Sequence, residues 1–106
     1  MTVNPGDGVF AALASLHRRR ILAFLSQTAL STAELAARFG ISAPAVSRHL
    51  AVLLAAGLVA AERQGQRVLY RLKREVLLDA LARFASELDG PLRRVAQTPR
   101  AQRDAI

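Results

Sequence analysis

The stretch Phe39–Leu58, FGISAPAVSRHLAVLLAAGL, decides the reading of this chain. Gly40 suits the left-handed position that closes a helix, and Ser42 suits the N-cap of the next one. Pro44 falls in the first turn, where a missing N–H is harmless. Val46, Leu50 and Leu53 recur at helical spacing, while Ser47, Arg48 and Ala51 fall on the other side. Gly57 ends the run. A short helix, a tight turn and a second helix with a polar early face form the helix-turn-helix pattern.

Upstream, Ser31-Thr32-Ala33-Glu34 reads as a capping box that starts the preceding helix, with Leu35, Ala36 and Phe39 turned inward. Before it, Ser15 can cap a helix over residues 16–26 with Ile21, Leu22 and Leu25 inward. Arg18, Arg19 and Arg20 spread around that helix by about 100° per residue, so they cannot all share one face and read mainly as solvated. Residues 9–14 read as a short first helix presenting Phe10 and Leu13. Residues 1–8, with Pro5, Gly6 and Gly8, read as a flexible N-terminus in which Asp7 can serve as a cap.

Downstream, the period changes from helical to alternating. Residues 58–63 and 66–72 read as two strands joined through Gln64-Gly65, a hairpin whose second strand sets Val68, Tyr70 and Leu72 on one face. From Glu75 the helical period returns, with Leu77, Leu81, Phe84 and Leu88 in one stripe. So much apolar surface on a small domain predicts pairing with a symmetry mate, with Phe10 and Leu13 of the first helix alongside. Gly90-Pro91 ends the helix, and residues 90–106 read as a flexible basic tail.

The expected architecture is therefore mainly α with a small β-hairpin: a winged helix-turn-helix in the order α-α-α-α-β-β-α, over residues 9–89, homodimeric through its first and last helices. The chain has 106 residues and a net charge of +7, which favours a polyanionic partner such as nucleic acid, and a helix-turn-helix points to double-stranded DNA. Of 15 basic residues only Lys73 is lysine; arginine suits bidentate contacts, although genome base composition produces the same bias. There is no cysteine, so disulfides and thiolate metal sites are excluded. The longest apolar run, residues 50–61, is well short of the roughly 20 residues that span a bilayer. No signal-peptide core precedes it, and a cytoplasmic location without membrane association is expected.

On a helical wheel the early positions Ser42, Ala43, Pro44, Ala45, Ser47 and Arg48 are those that reach a major groove. Arg48 is the candidate for a bidentate guanine contact. His49 lies at the flank of the buried face, where a locally bonded ring weighs more than a base contact. Arg63, Gln64 and Arg67 lie about the hairpin tip and suit minor-groove or phosphate contacts. Ser31 or Ser42, with the backbone N–H groups of the helix starts, suits phosphate. No nucleophile–base arrangement and no phosphate-cradling glycine loop is present, so no enzyme and no cofactor are expected. The competing class is a winged-helix interaction module that docks on protein.

The order of elements, with Ser47-Arg48-His49-Leu50, Gly57-Leu58-Val59, Arg18-Arg-Arg-Ile-Leu and Phe10-Ala-Ala-Leu-Ala-Ser, resembles the ArsR-type (ArsR/SmtB) winged-helix repressors of bacteria over residues 9–88. The resemblance implies a homodimer on operator DNA that blocks transcription and that an inducer, often a metal ion, releases. Metal-sensing members carry cysteines where this chain has Ser31, Ala33 and Ala36, and others carry Asp-x-His with further histidines on the last helix. Here Leu81 follows Asp79 by two positions, and no histidine follows His49. The resemblance is thus to the metal-independent, autorepressor-like branch, whose effector is a small molecule, a protein or nothing beyond its own concentration. Members often have Gln at the position of Ala43 and a basic residue at that of Ala51, so shape and backbone contacts carry more of the binding here.

Overall fold

The computed structural model describes residues 5–88. The elements are α1 (Pro5–Leu13), α2 (Leu16–Leu25), α3 (Thr32–Phe39), α4 (Ala43–Ala55), β1 (Val59–Gln64), β2 (Arg67–Leu72) and α5 (Arg74–Glu87). This is the expected order. The expected tail, residues 90–106, lies outside the described residues.

The first helix departs from expectation. It begins at Pro5, so residues 5–8 are helical rather than loose, and Asp7 lies inside the helix instead of capping it; residues 1–4 lie outside the described residues. Proline at a first helical position has no N–H to leave unsatisfied. Packing offsets the poor helix propensity of the two glycines: Val9 and Ala12 are fully buried, and Gly8 lies against Ala56, where an added Cβ would meet the Ala56 Cα at 3.9 Å.

Every helix of the middle region carries the cap that its sequence promised. Ser15 Oγ accepts from the Arg18 N–H at 3.3 Å, and Ser42 Oγ accepts from the Ala45 N–H at 3.2 Å. Ser31 Oγ accepts from Glu34 N–H while Glu34 Oε1 accepts from Ser31 N–H at 2.8 Å, completing the capping box. Gly40 closes α3 at φ +68°. Gly57, at φ +75°, closes α4 with paired bonds, Leu58 N–H to Leu53 O and Gly57 N–H to Leu54 O, both 3.0 Å. That double bond is the Schellman closure, which only a left-handed residue permits.

The core is the set of side chains these caps turn inward: Ile21 and Leu25 of α2, Leu35 of α3, Val46, Leu50 and Leu53 of α4, and Leu58 and Val59 beyond it. No polar or charged side chain is buried among the described residues. β1 and β2 pair antiparallel from Val59↔Leu72 to Gln64↔Arg67. The turn is therefore Gly65-Gln66, not Gln64-Gly65, because Gly65 takes the positive φ of +64° that the first central position of a two-residue hairpin favours. An additional bridge joins Leu30 to Tyr70, with N–H···O bonds of 3.1 and 2.8 Å in the two directions. It ties the wing to the segment leading into α3.

α5 starts at Arg74, whose guanidinium donates to the Ser26 carbonyl at 3.3 Å and so holds the helix start against the end of α2. Its inner side buries Ala80, with Val76 and Leu77 packed on the core. Its outer side does not find cover among the described residues. Leu78, Leu81, Phe84 and Leu88 are 55, 42, 46 and 44% exposed, and Phe10 of α1 meets Phe84 edge-on at 5.4 Å. Leu13 and Leu77, expected on that same outer face, are half-buried against the chain's own core instead. Among the described residues no helix is long and apolar enough to cross a membrane.

Candidate DNA-binding surface

The turn between α3 and α4 leaves the first two turns of α4 open to solvent. Ser42, Ala43, Pro44, Ser47 and Arg48 are exposed, and Ala45 is half-buried. Ser42 spends one hydroxyl lone pair on the Ala45 N–H, so its first role is structural. Among the described residues Arg48 has no hydrogen-bond or ion-pair partner, which leaves its guanidinium fork open for an external acceptor. Beyond the reading face, Val52 and Leu54 are also partly open, at 40 and 38%.

His49 is half-buried, as its wheel position implied, but its surroundings are not local. Arg18 of α2 approaches its Nδ1 at 3.5 Å, and the ring of His17 lies 5.5 Å away, tilted by 37°. Burial, then the charges of Arg18, His17 and Arg48, hold the imidazole pKa below its usual value of 6.5. The two histidines, on separate helices, are thus brought together. Even so, no group of three metal-ligating side chains exists among the described residues.

Arg18 and Arg19 are also more engaged than a solvated run would be. Arg18 Nε donates to the Ala12 carbonyl at 2.7 Å and its Nη2 to Ala11 O at 3.3 Å, while Arg19 Nη1 donates to Leu13 O at 2.6 Å. They add donors to the carbonyls at the end of α1, of which Ala11 O also accepts from the Ala14 N–H at 3.3 Å, and cations are favoured there by the helix dipole. The only sequence clue was that a helix ending at residue 13 with no glycine after it needs donors from elsewhere.

The wing separates its two arginines. Arg63 and Gln64 are exposed, and Arg63 has no partner among the described residues. Arg67 Nη2 instead pairs with Glu34 Oε1 at 2.9 Å, side chains 59 and 41% exposed. Glu34 therefore serves the capping box and the wing at once. Its carboxyl pKa lies below the usual value, first because the Ser31 N–H binds the charged form, with Arg67 adding to it. Arg71 and Glu62 pair more loosely across the hairpin, at 3.8 Å. On α4 and the wing, the two parts that a winged helix presents to one duplex, the cations without a partner among the described residues are thus Arg48 and Arg63.

Comparison with known proteins agrees with this geometry. A family model described as a helix-turn-helix domain matches residues 13–61. The transcriptional repressor SdpR of Bacillus subtilis is 35% identical over 71% of this chain and 83% of its own length. The regulator KmtR of Mycobacterium tuberculosis is 40% identical over 78% of this chain, but the match spans only 65% of KmtR. Among solved structures, an ArsR-like transcriptional regulator from Rhodococcus sp. RHA1 superposes with a TM-score of 0.72 at 35% identity, covering 87% of each chain. A homodimeric winged helix-turn-helix DNA-binding domain from Mycobacterium bovis does so at 0.67 and 31% identity, over 80% of this chain and 81% of its own. The relatives are regulators, not enzymes. The chain belongs to the ArsR family of winged helix-turn-helix transcriptional regulators.

Proposed function

We propose that this chain is a dimeric, sequence-specific repressor acting in the cytoplasm on its own or an adjacent operon, without the metal or thiol sensing found elsewhere in its family. The observation that carries the reading is the open start of α4 with Arg48 free of partners among the described residues, beside a wing that offers Arg63. α4 enters the major groove, with Arg48 reading a guanine edge and Ser47 beside it; Ala43, Pro44 and Ala45 make the close approach. Arg63 and Gln64 meet the flanking backbone or minor groove. The dimer forms over the Phe10, Leu81, Phe84 and Leu88 face and spaces two copies of α4 by about 34–36 Å, one helical turn of DNA. The homodimeric state of the Mycobacterium bovis domain supports this.

A metal inducer does not fit the residues present. Ser31, Ala33 and Ala36 supply no soft ligand, and α5 offers Asp79 without a histidine. The sequence has no cysteine for redox sensing. An effector, where one acts, is then a small organic molecule or another protein.

Fluorescence anisotropy with the DNA upstream of its own gene tests the reading. If the dimer neutralises about 6–10 phosphates, affinity falls by about 10³–10⁵ between 50 and 200 mM salt, and a scrambled duplex binds more weakly throughout. Absence of salt-sensitive binding below micromolar concentration overturns it and favours an interaction module. Release of DNA by a stoichiometrically bound metal ion overturns the metal-independent part alone.

A further inference from the structure

α2 and α3 do not pack flush. Between them lies a groove of about 510 Å³, lined by Arg20, Ala23, Phe24 and Gln27 of α2 and its end and by Arg38 and Phe39 of α3. Its volume falls in the range of small-molecule sites, about 300–1,000 Å³. Two rings form one wall: Phe24 and Phe39 meet edge-to-face at 5.2 Å and 86°. Arg38 lies over the Phe24 ring, its guanidinium carbon 5.9 Å from the centroid, and is held there by donating to the Glu34 carbonyl at 3.1 Å. No carboxylate lines the groove. The carboxylate of Glu34, one helical turn before Arg38, is already committed to Ser31 and Arg67. Arg20 has no ion pair among the described residues.

We infer that this groove is a binding site for a small aromatic carboxylate. The composition demands both halves of such a ligand. An inorganic anion would meet the guanidiniums but leave the phenyl wall wet. A neutral aromatic would cover the rings and leave two cations without an anionic partner. A flat ring bearing one carboxylate covers Phe24 and Phe39 and accepts from Arg20 or Arg38, with Gln27 as an additional donor. The groove uses none of the α4, wing or α1/α5 residues assigned above. An occupant would sit against α3, the helix whose turn sets the angle of α4.

The test is read without DNA, so it stands or falls apart from the repressor reading. The probe is 2-naphthoate, titrated into the full chain while backbone amide shifts are followed by NMR, with 2-naphthylmethanol and inorganic phosphate as comparisons. The expected result is saturable shifts confined to residues 20–27 and 38–39, with a Kd of about 10⁻⁴–10⁻³ M. The alcohol and phosphate should each bind roughly tenfold more weakly or worse, a comparison that needs no variant. Arg20→Gln and Arg38→Gln should each weaken naphthoate about tenfold. The inference is overturned by no saturation at about 10 mM, by equal affinity for the alcohol or for phosphate, or by shifts centred on α4 or the wing.

Discussion

At the scale of single residues, two side chains on α4 have opposite lives. Arg48 is exposed and has no partner among the described residues, so its effect should appear only when DNA is present. Arg48→Ala should reduce discrimination between the operator and a one-base variant by about 1–3 kcal/mol while leaving thermal stability unchanged, as read by competition anisotropy and melting. His49 should show the reverse pattern. Burial and three neighbouring cationic or imidazole groups, Arg18, His17 and Arg48, hold its folded pKa below 6.5. The unfolded chain therefore binds the proton more readily, and stability must fall as pH drops below about 6.5 toward the lower folded value. Melting between about pH 7.5 and 5.5 should show this decline, and His49→Gln should flatten it. Glu34 does not confuse the window, because its pKa is lowered from 4.5 and it titrates further down. A decline that persists undiminished in His49→Gln would place the titration elsewhere. Helical periodicity was enough to put His49 at the flank of the buried face. It could not give the Arg18 and His17 neighbours, because contacts between helices depend on how α2 and α4 cross.

At the scale of elements, local chemistry was legible and long-range pairing was not. Ser31, Glu34, Gly40, Ser42 and Gly57 announce helix ends because caps are short-range bonds between neighbours in sequence, and each is found in its predicted role. Ser31→Ala should accordingly cost about 0.5–2 kcal/mol in urea unfolding, with the slope of the transition unchanged. The start of α1 was hidden because Pro5, Gly6 and Gly8 have the composition of a loop; burial of Val9 and Ala12 decides otherwise. The Leu30–Tyr70 bridge was hidden because one pair of residues leaves no period to detect. The wing illustrates the consequence for function. Arg63 and Arg67 look equivalent in sequence, yet only Arg67 is paired, with Glu34 at 2.9 Å. To meet a phosphate, Arg67 must exchange one carboxylate for another anion, so its net contribution is smaller. Arg63→Ala should weaken binding to operator and random DNA alike and reduce the salt slope by about 2 for a dimer, about 1 per copy. Arg67→Ala should have a smaller effect, and equal losses from the two variants would show that the Glu34 pair opens on DNA.

At the scale of the whole molecule, what matters is the apolar surface left uncovered among the described residues. The stripe at Leu81, Phe84 and Leu88 was legible as periodicity, but which of its members remain over for a partner was not. Leu77 turns out to pack on the core, and Leu78, one step round the helix, is 55% exposed. The Phe10–Phe84 contact joins α1 and α5 into one face, so substitutions on either helix should act on the same equilibrium. Fully burying a side chain of this size contributes about 1.5–3 kcal/mol. Phe84 is 46% exposed, so covering the remainder contributes roughly half of that per copy, and a two-fold interface counts it twice, about 1.5–3 kcal/mol in all. Phe84→Ala should therefore weaken the dimer about 10–100-fold, and Phe84→Glu should weaken it further by placing paired carboxylates in an apolar contact. Light scattering over a dilution series reads the dimer, and far-UV circular dichroism checks that the helices remain. DNA then separates this effect from damage to α4. A monomer should keep its weak affinity for a duplex with one half-site and lose the added affinity for two half-sites about one turn apart. Equal losses on both duplexes would mean that the face supports the fold of the reading helix rather than the pairing of two copies.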